Sequence, residues 1–273
     1  MLIKRIVTAI VGSIAAGYII HYGQWLFVLA VGVLALLAWR EFCKMFEARQ
    51  MVLWYKLGIF GIIMLLGCSW MGNPQETNAV VLLLILLAAA KTVAEPQYTT
   101  VHAAITSFGL LYIGLAFSHL ILLRFTDELI VVNSALGNLS AGAAFVWIAF
   151  IGTWANDTVA FFVGSNFGKH KLCPAVSPGK TIEGAAGGVA GSVLVVAALG
   201  SLFGFSMLHG IMIGLLIGVT APLGDLAESA IKRFAGSKDS GSILPGHGGV
   251  LDRFDSIMFV VPVVYYYMQL FVL

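Results

Sequence analysis

Nine stretches of this chain, roughly residues 4–22, 24–40, 53–71, 77–94, 98–123, 142–165, 182–204, 206–232 and 251–272, are predominantly apolar. Each approaches the about 20 residues that an α-helix needs to cross a bilayer. Lipid offers no water to a backbone N–H or C=O, so a spanning segment must satisfy its own, and a long apolar run does so as an α-helix. The pattern predicts an all-α polytopic membrane protein of about nine transmembrane helices. The fourth stretch is the weakest. Its clean apolar core runs only from Ala79 to Ala90, Lys91 must snorkel, and a re-entrant segment is the alternative.

Composition agrees. The chain is 60% hydrophobic and 10% charged, with mean hydropathy +0.97, where a soluble domain carries about 25% charged residues. Met1 to Arg5 leads into an apolar run with no convincing small-residue cleavage site, so a retained first span is expected. Cys43, Cys68 and Cys173 form no CxxC and indicate neither a disulfide framework nor a zinc site. Nothing points to a nucleic-acid partner.

With the N-terminus in the cytoplasm and nine alternating spans, every one of the 15 Lys and Arg residues except Arg124 falls on the cytoplasmic side. Deleting the fourth span would destroy that asymmetry. The expected topology therefore has its N-terminus inside and its C-terminus outside, in the cell's inner (cytoplasmic) membrane. Asn138-Leu139-Ser140 fits a glycosylation sequon, a pattern too common to carry weight. The chain reads as one integral membrane domain, 1–273, with scaffold spans over 1–140 and a working half over 141–273.

In that half, polar residues gather on helix faces. In "APLGDLAESAIKRF", Asp225, Glu228, Ser229 and Lys232 are spaced i, i+3, i+4, i+7 and share one face. Asp225 lies about 29 Å along the eighth span, near its cytoplasmic end. In "LDRFDS", Asp252, Asp255 and Ser256 share a face at the start of the ninth span. The two faces fall at one membrane depth, and the loop between them is short enough to make the helices neighbours. Carboxylates gathered there require protons, bases or a cation, and oxygen ligands without clustered His or Cys suit Mg²⁺ before Zn²⁺. The plainer alternative is a set of interfacial helix-end charges, which suits Asp252 at a helix N-terminus.

Asp157, in "WANDTVAFFVG", lies inside a span, where an ionisable residue is expensive and a functional candidate; a paired structural Asp is the alternative. The loop "GKHKLCPAVSPGKTIEGAAGG" supplies Ser177, Lys180 and Glu183, with a turn expected at Pro178-Gly179 and Thr181 placed to cap the next helix. It is no Walker A loop, because Pro174 stands where the first glycine belongs. Gly184, Gly187, Gly188 and Gly191 suit close helix packing. The loop "KRFAGSKDSGSILPGHGG" brings Lys232, Arg233, Lys238, Asp239 and His247 together with Gly248 and Gly249, whose backbone can approach an anion closely. Carboxylates for Mg²⁺ beside bases for phosphates point to phosphoryl or nucleotidyl transfer involving a lipid.

The stretch from Ser229 to Asp255, "SAIKRFAGSKDSGSILPGHGGVLDRFD", resembles the signature of the phosphatidate cytidylyltransferases, and every fixed position matches. "SPGKTIEG" and "WANDTVAFFVG" are also similar to that family's, apart from Gly179, where many members carry a second lysine. The resemblance implies that phosphatidic acid attacks the α-phosphorus of CTP, giving CDP-diacylglycerol and pyrophosphate. It implies Mg²⁺, with a potassium ion beside it, and a homodimer. Asp225 and Asp252 would be metal ligands, with Glu228, Ser229 and Asp255 completing the ion site. Lys180, Lys232, Arg233 and Lys238 would hold the triphosphate. Arg253 and Asp157 would belong to the catalytic set, Asp157 orienting a metal water or the lipid phosphate. Ser177, Glu183, Asp239, His247, Gly248 and Gly249 would line the substrate.

Two rivals stay open. One is a cytidylyltransferase or kinase for another lipid. The other is an ion-coupled transporter using Asp157, Asp225 and Asp252 as a relay, although no inverted repeat is visible. The CDP-alcohol transferase pattern DGx₂ARx₈Gx₃Dx₃D is absent.

Overall fold

The computed structural model describes residues 2–126, 131–134, 137–241 and 248–273. Among them are nine α-helices: α1 (Leu2–Tyr22), α2 (Gln24–Glu47), α3 (Tyr55–Met71), α4 (Pro74–Ala94), α5 (Thr100–Arg124), α6 (Ala141–Phe167), α7 (Ile182–Leu202), α8 (Met207–Ala235) and α9 (Leu251–Phe271). Seven of these, α2 and α4 to α9, are long and apolar enough to cross a membrane, and α3 is a shorter apolar helix. The chain is an all-α polytopic membrane protein with two small additions. Hairpin β1 (Val131–Ser134) with β2 (Gly137–Ser140) precedes α6; β3 (Lys171–Cys173) with β4 (Ser177–Thr181) precedes α7.

Two helix boundaries and one turn depart from the sequence reading for identifiable local reasons. First, α2 does not stop near residue 40 but continues to Glu47, because Phe42, Met45 and Phe46 carry the buried face of Ala35, Ala38 and Trp39 a further two turns. Second, α4 starts at Pro74 rather than 77. Asn73 accepts hydrogen bonds from the N–H groups of Gln75 and Glu76, and Pro74 occupies a first-turn position that needs no donor. Third, Pro178-Gly179 is not the turn. Both lie in β4, which pairs Lys171 with Thr181 and Cys173 with Ser177, and the chain reverses at 174–176.

The chain forms two compact units. The first contains residues 1–122 and 232–253. Its core is an aromatic run on α2, where Trp39 stacks on Phe42 and Phe42 packs on Phe46, with Phe234 next in line. The second contains residues 123–231 and 254–273. There α7 lies against α6 through its small residues: a side chain at Gly187 or Gly191 would strike Val163 or Val159. Thr181 caps α7, accepting from Gly184 N–H at 3.1 Å. Arg124, the one basic residue set apart by the charge pattern, is 4% exposed and donates to Ser140, whose hydroxyl caps α6.

Candidate functional site

In the second unit, β4 carries Lys180 to α8. Its ammonium lies 2.6 Å from Asp225 Oδ2 and 3.5 Å from the carbonyl of Pro222. Ser229, one turn beyond Asp225, donates to Asp225 Oδ1 at 3.3 Å. Asp157 on α6 is exposed and within electrostatic reach of both Asp225 and Lys180. Glu228 is 1% exposed. At this level α8 and α9 meet backbone to backbone, since a side chain at Gly224 would sit 2.5 Å from the carbonyl oxygen of Asp255. The two helices are therefore neighbours at Gly224 and Asp255, as expected, but the contact is one of backbone, and no three carboxylates gather there among the described residues.

Ser177 is half-buried in β4. Glu183, expected at the substrate, clasps the turn before β3. It accepts from the backbone N–H groups of Lys169 and His170 and lies 2.6 Å from the His170 ring nitrogen.

In the first unit, Asp252 is gripped by its own loop. It pairs with Lys232 at 2.8 Å and accepts from Gly249 N–H at 2.9 Å and Ser240 N–H at 3.1 Å. The first turn of α9 has open N–H groups, as every helix start does. Two acceptors distant in sequence supply them: Glu41 Oε2 takes the Leu251 N–H at 3.0 Å, and Ser240 Oγ takes that of Asp252 at 3.3 Å. Arg233, Lys238, Asp239 and Arg253 are exposed, and Gly248 adopts a positive φ of 84°. His247 lies outside the described residues.

Glu41 was not singled out by sequence reasoning. It is 2% exposed, its Oε1 is buried without a hydrogen-bond partner, and Gly241 and Gly249 press on it so closely that a side chain at either would collide with the carboxylate. The signal available was a single carboxylate on the apolar face of α2, beside Ala38, Phe42 and Met45.

Among the described residues no three Asp, Glu, His or Cys side chains come close enough to hold a metal alone. The donors present are nevertheless those of a hard cation. Asp225 and Ser229 offer oxygen only, and Mg²⁺ is commonly held by one or two carboxylates with the remainder from water and substrate phosphates. The residues fit Mg²⁺ on those terms.

A model of the cytidylyltransferase family matches residues 3–271. The phosphatidate cytidylyltransferase of Bacillus subtilis (strain 168) is 31% identical over 283 residues, covering 98% of each chain. That of Synechocystis is 34% identical over 288 residues, covering 98% of this chain and 96% of the relative. That of Staphylococcus saprophyticus is 32% identical over 264 residues, covering 94% and 95%.

Proposed function

The chain belongs to the cytidylyltransferase family and is a nucleotidyltransferase; from that premise we propose that it converts CTP and phosphatidic acid into CDP-diacylglycerol and pyrophosphate. The observation that carries this reading is the Lys180–Asp225 pair on the turn of α8 that leads into the Ser229 to Asp255 signature. A lysine and a carboxylate held together serve a polyphosphate and its counter-ion.

A phosphate oxygen of phosphatidic acid forms a bond to the α-phosphorus of CTP. The bond from that phosphorus to the bridging oxygen breaks, and pyrophosphate leaves with the electron pair. No strong general base is required, because a phosphomonoester dianion is already a nucleophile. Lys180, Lys232, Arg233 and Lys238 bind the triphosphate and stabilise the negative charge that builds on the departing pyrophosphate. Asp239, His247, Gly248, Gly249 and Ser177 line the nucleotide, Gly248 and Gly249 through their backbone. Glu183 acts by setting the Lys169–His170 turn, and Arg253 completes the catalytic set. Asp157 orients the lipid phosphate.

Asp225 and Ser229 would hold Mg²⁺, with water and substrate phosphates completing its shell; the family resemblance adds Asp252, Glu228 and Asp255 as residues that would hold that ion or a potassium ion beside it. When bound, Mg²⁺ neutralises phosphate charge at the transition state. The remaining parts of the proposal are a scaffold role for residues 1–140, a homodimer, and a site facing the cytoplasm from the inner membrane. Lipid chains would enter sideways from the bilayer.

The test is pyrophosphate release by purified protein in detergent with CTP, phosphatidic acid and Mg²⁺, against ATP, GTP and UTP, beside Asp252→Asn. Release that needs CTP and the lipid and is lost in the variant is expected. Folded protein that releases none with any lipid phosphate would sink the reading and favour an ion-coupled transporter.

A further inference from the structure

Helix α8 contains Pro222. Proline has no N–H, and its ring pushes against the carbonyl four residues earlier, so the oxygen of Gly218 loses its helical partner. A buried carbonyl left that way is costly. Asn156 of α6, 1% exposed, donates its Nδ2–H to that oxygen at 3.3 Å. Space for the amide exists because α7 has glycine at 188; a Cβ there would lie 2.9 Å from Asn156 Nδ2.

This contact is the middle rung of three. One turn earlier on α8, Ser192 of α7 donates to the carbonyl of Gly214 at 2.9 Å. One turn later, Lys180 reaches the carbonyl of Pro222 at 3.5 Å while pairing with Asp225. Three successive turns are thus held from α7, α6 and β4, and the last rung is shared with Asp225. The direction α8 takes beyond its proline sets where Asp225 and Ser229 stand. A carbonyl at 218 without its amide would seek another donor by changing the bend.

We infer that Asn156 is a positioning residue: its amide replaces the N–H missing at Pro222 and fixes the bend that presents Asp225 to Lys180 and the substrate. The same bond fixes the rotation of α6 and with it the adjacent Asp157. The inference rests on the cytidylyltransferase reading for the reaction it serves, but the geometry is independent of it.

The coupling of 156 to 222 makes the role testable. In Pro222→Ala the restored N–H can bond Gly218 itself, so the amide is no longer needed. Wild type, Asn156→Ala, Pro222→Ala and the double variant are compared by kcat, KM for CTP and thermal midpoint in detergent. Asn156→Ala alone should lower kcat by about tenfold or more, with KM within about threefold, and in the Pro222→Ala background the same change should cost under about threefold. If Asn156→Ala does not fold, the double variant should recover folded protein. An Asn156→Ala effect of equal size in both backgrounds, wild-type kcat in Asn156→Ala, or a double variant no better than an unfolded single one would overturn the inference. A wild-type enzyme releasing no pyrophosphate would sink the reaction and the positioning role together, while the midpoints still judge the coupling.

Discussion

Asp225 and Glu41 are two carboxylates with opposite tasks. Asp225 keeps an ammonium at 2.6 Å and a hydroxyl one turn on, and remains a third exposed. Asp225→Asn keeps the shape and removes the charge. It should lower kcat by about 10²–10³, the scale of losing one preorganised electrostatic contact, in protein whose size-exclusion profile is unchanged. Glu41 lies under the loop, capping α9. Glu41→Ala leaves the Leu251 N–H buried without an acceptor and should destabilise by about 1–3 kcal/mol, read as a fall in thermal midpoint. Glu41→Gln, which keeps an acceptor oxygen, should lose less.

At the scale of elements, helix ends and helix contacts respond separately. Asn73 caps α4 far in sequence from any proposed site residue. Asn73→Ala should cost about 1 kcal/mol of stability and leave CTP turnover as in wild type. Gly188→Ala is different, because the added methyl meets Asn156 at 2.9 Å and Ala160 at 3.1 Å. Overpacking of that kind costs about 1–3 kcal/mol, and here it should also reduce kcat by displacing Asn156. Measuring midpoint and kcat on the two variants separates the effects. Apolar length located every helix, and the glycines of α7 were legible as packing residues from their small-residue spacing. The β3–β4 hairpin was not, since KLC and SPGKT are too short and too polar for strand periodicity to show. The extension of α2 to Glu47 was hidden by Arg40, whose charge resembles a span end although the buried face continues past it.

At the scale of the molecule, the proposed topology can be read with a single thiol. Cys43 and Cys68 are buried, whereas Cys173 on β3 is partly accessible. With the first two replaced by alanine, a membrane-impermeant maleimide should label Cys173 in inside-out vesicles and not in right-side-out ones. The reverse result would invert the orientation and move the candidate site to the outer face. Apolar runs by themselves determined that this chain spans a membrane and where its helices lie. In lipid each helix must satisfy its own backbone, so spanning is a property of one segment read in isolation. The family was legible too, because the Ser229 to Asp255 signature is one continuous stretch of sequence. What only the tertiary structure decided is the partner of each buried polar group. Glu41 meets Leu251 across 210 positions and Asn156 meets Gly218 across 62. Such a bond exists only because two particular helices pack together, and the strength of its need comes from a carbonyl or amide that packing has removed from water.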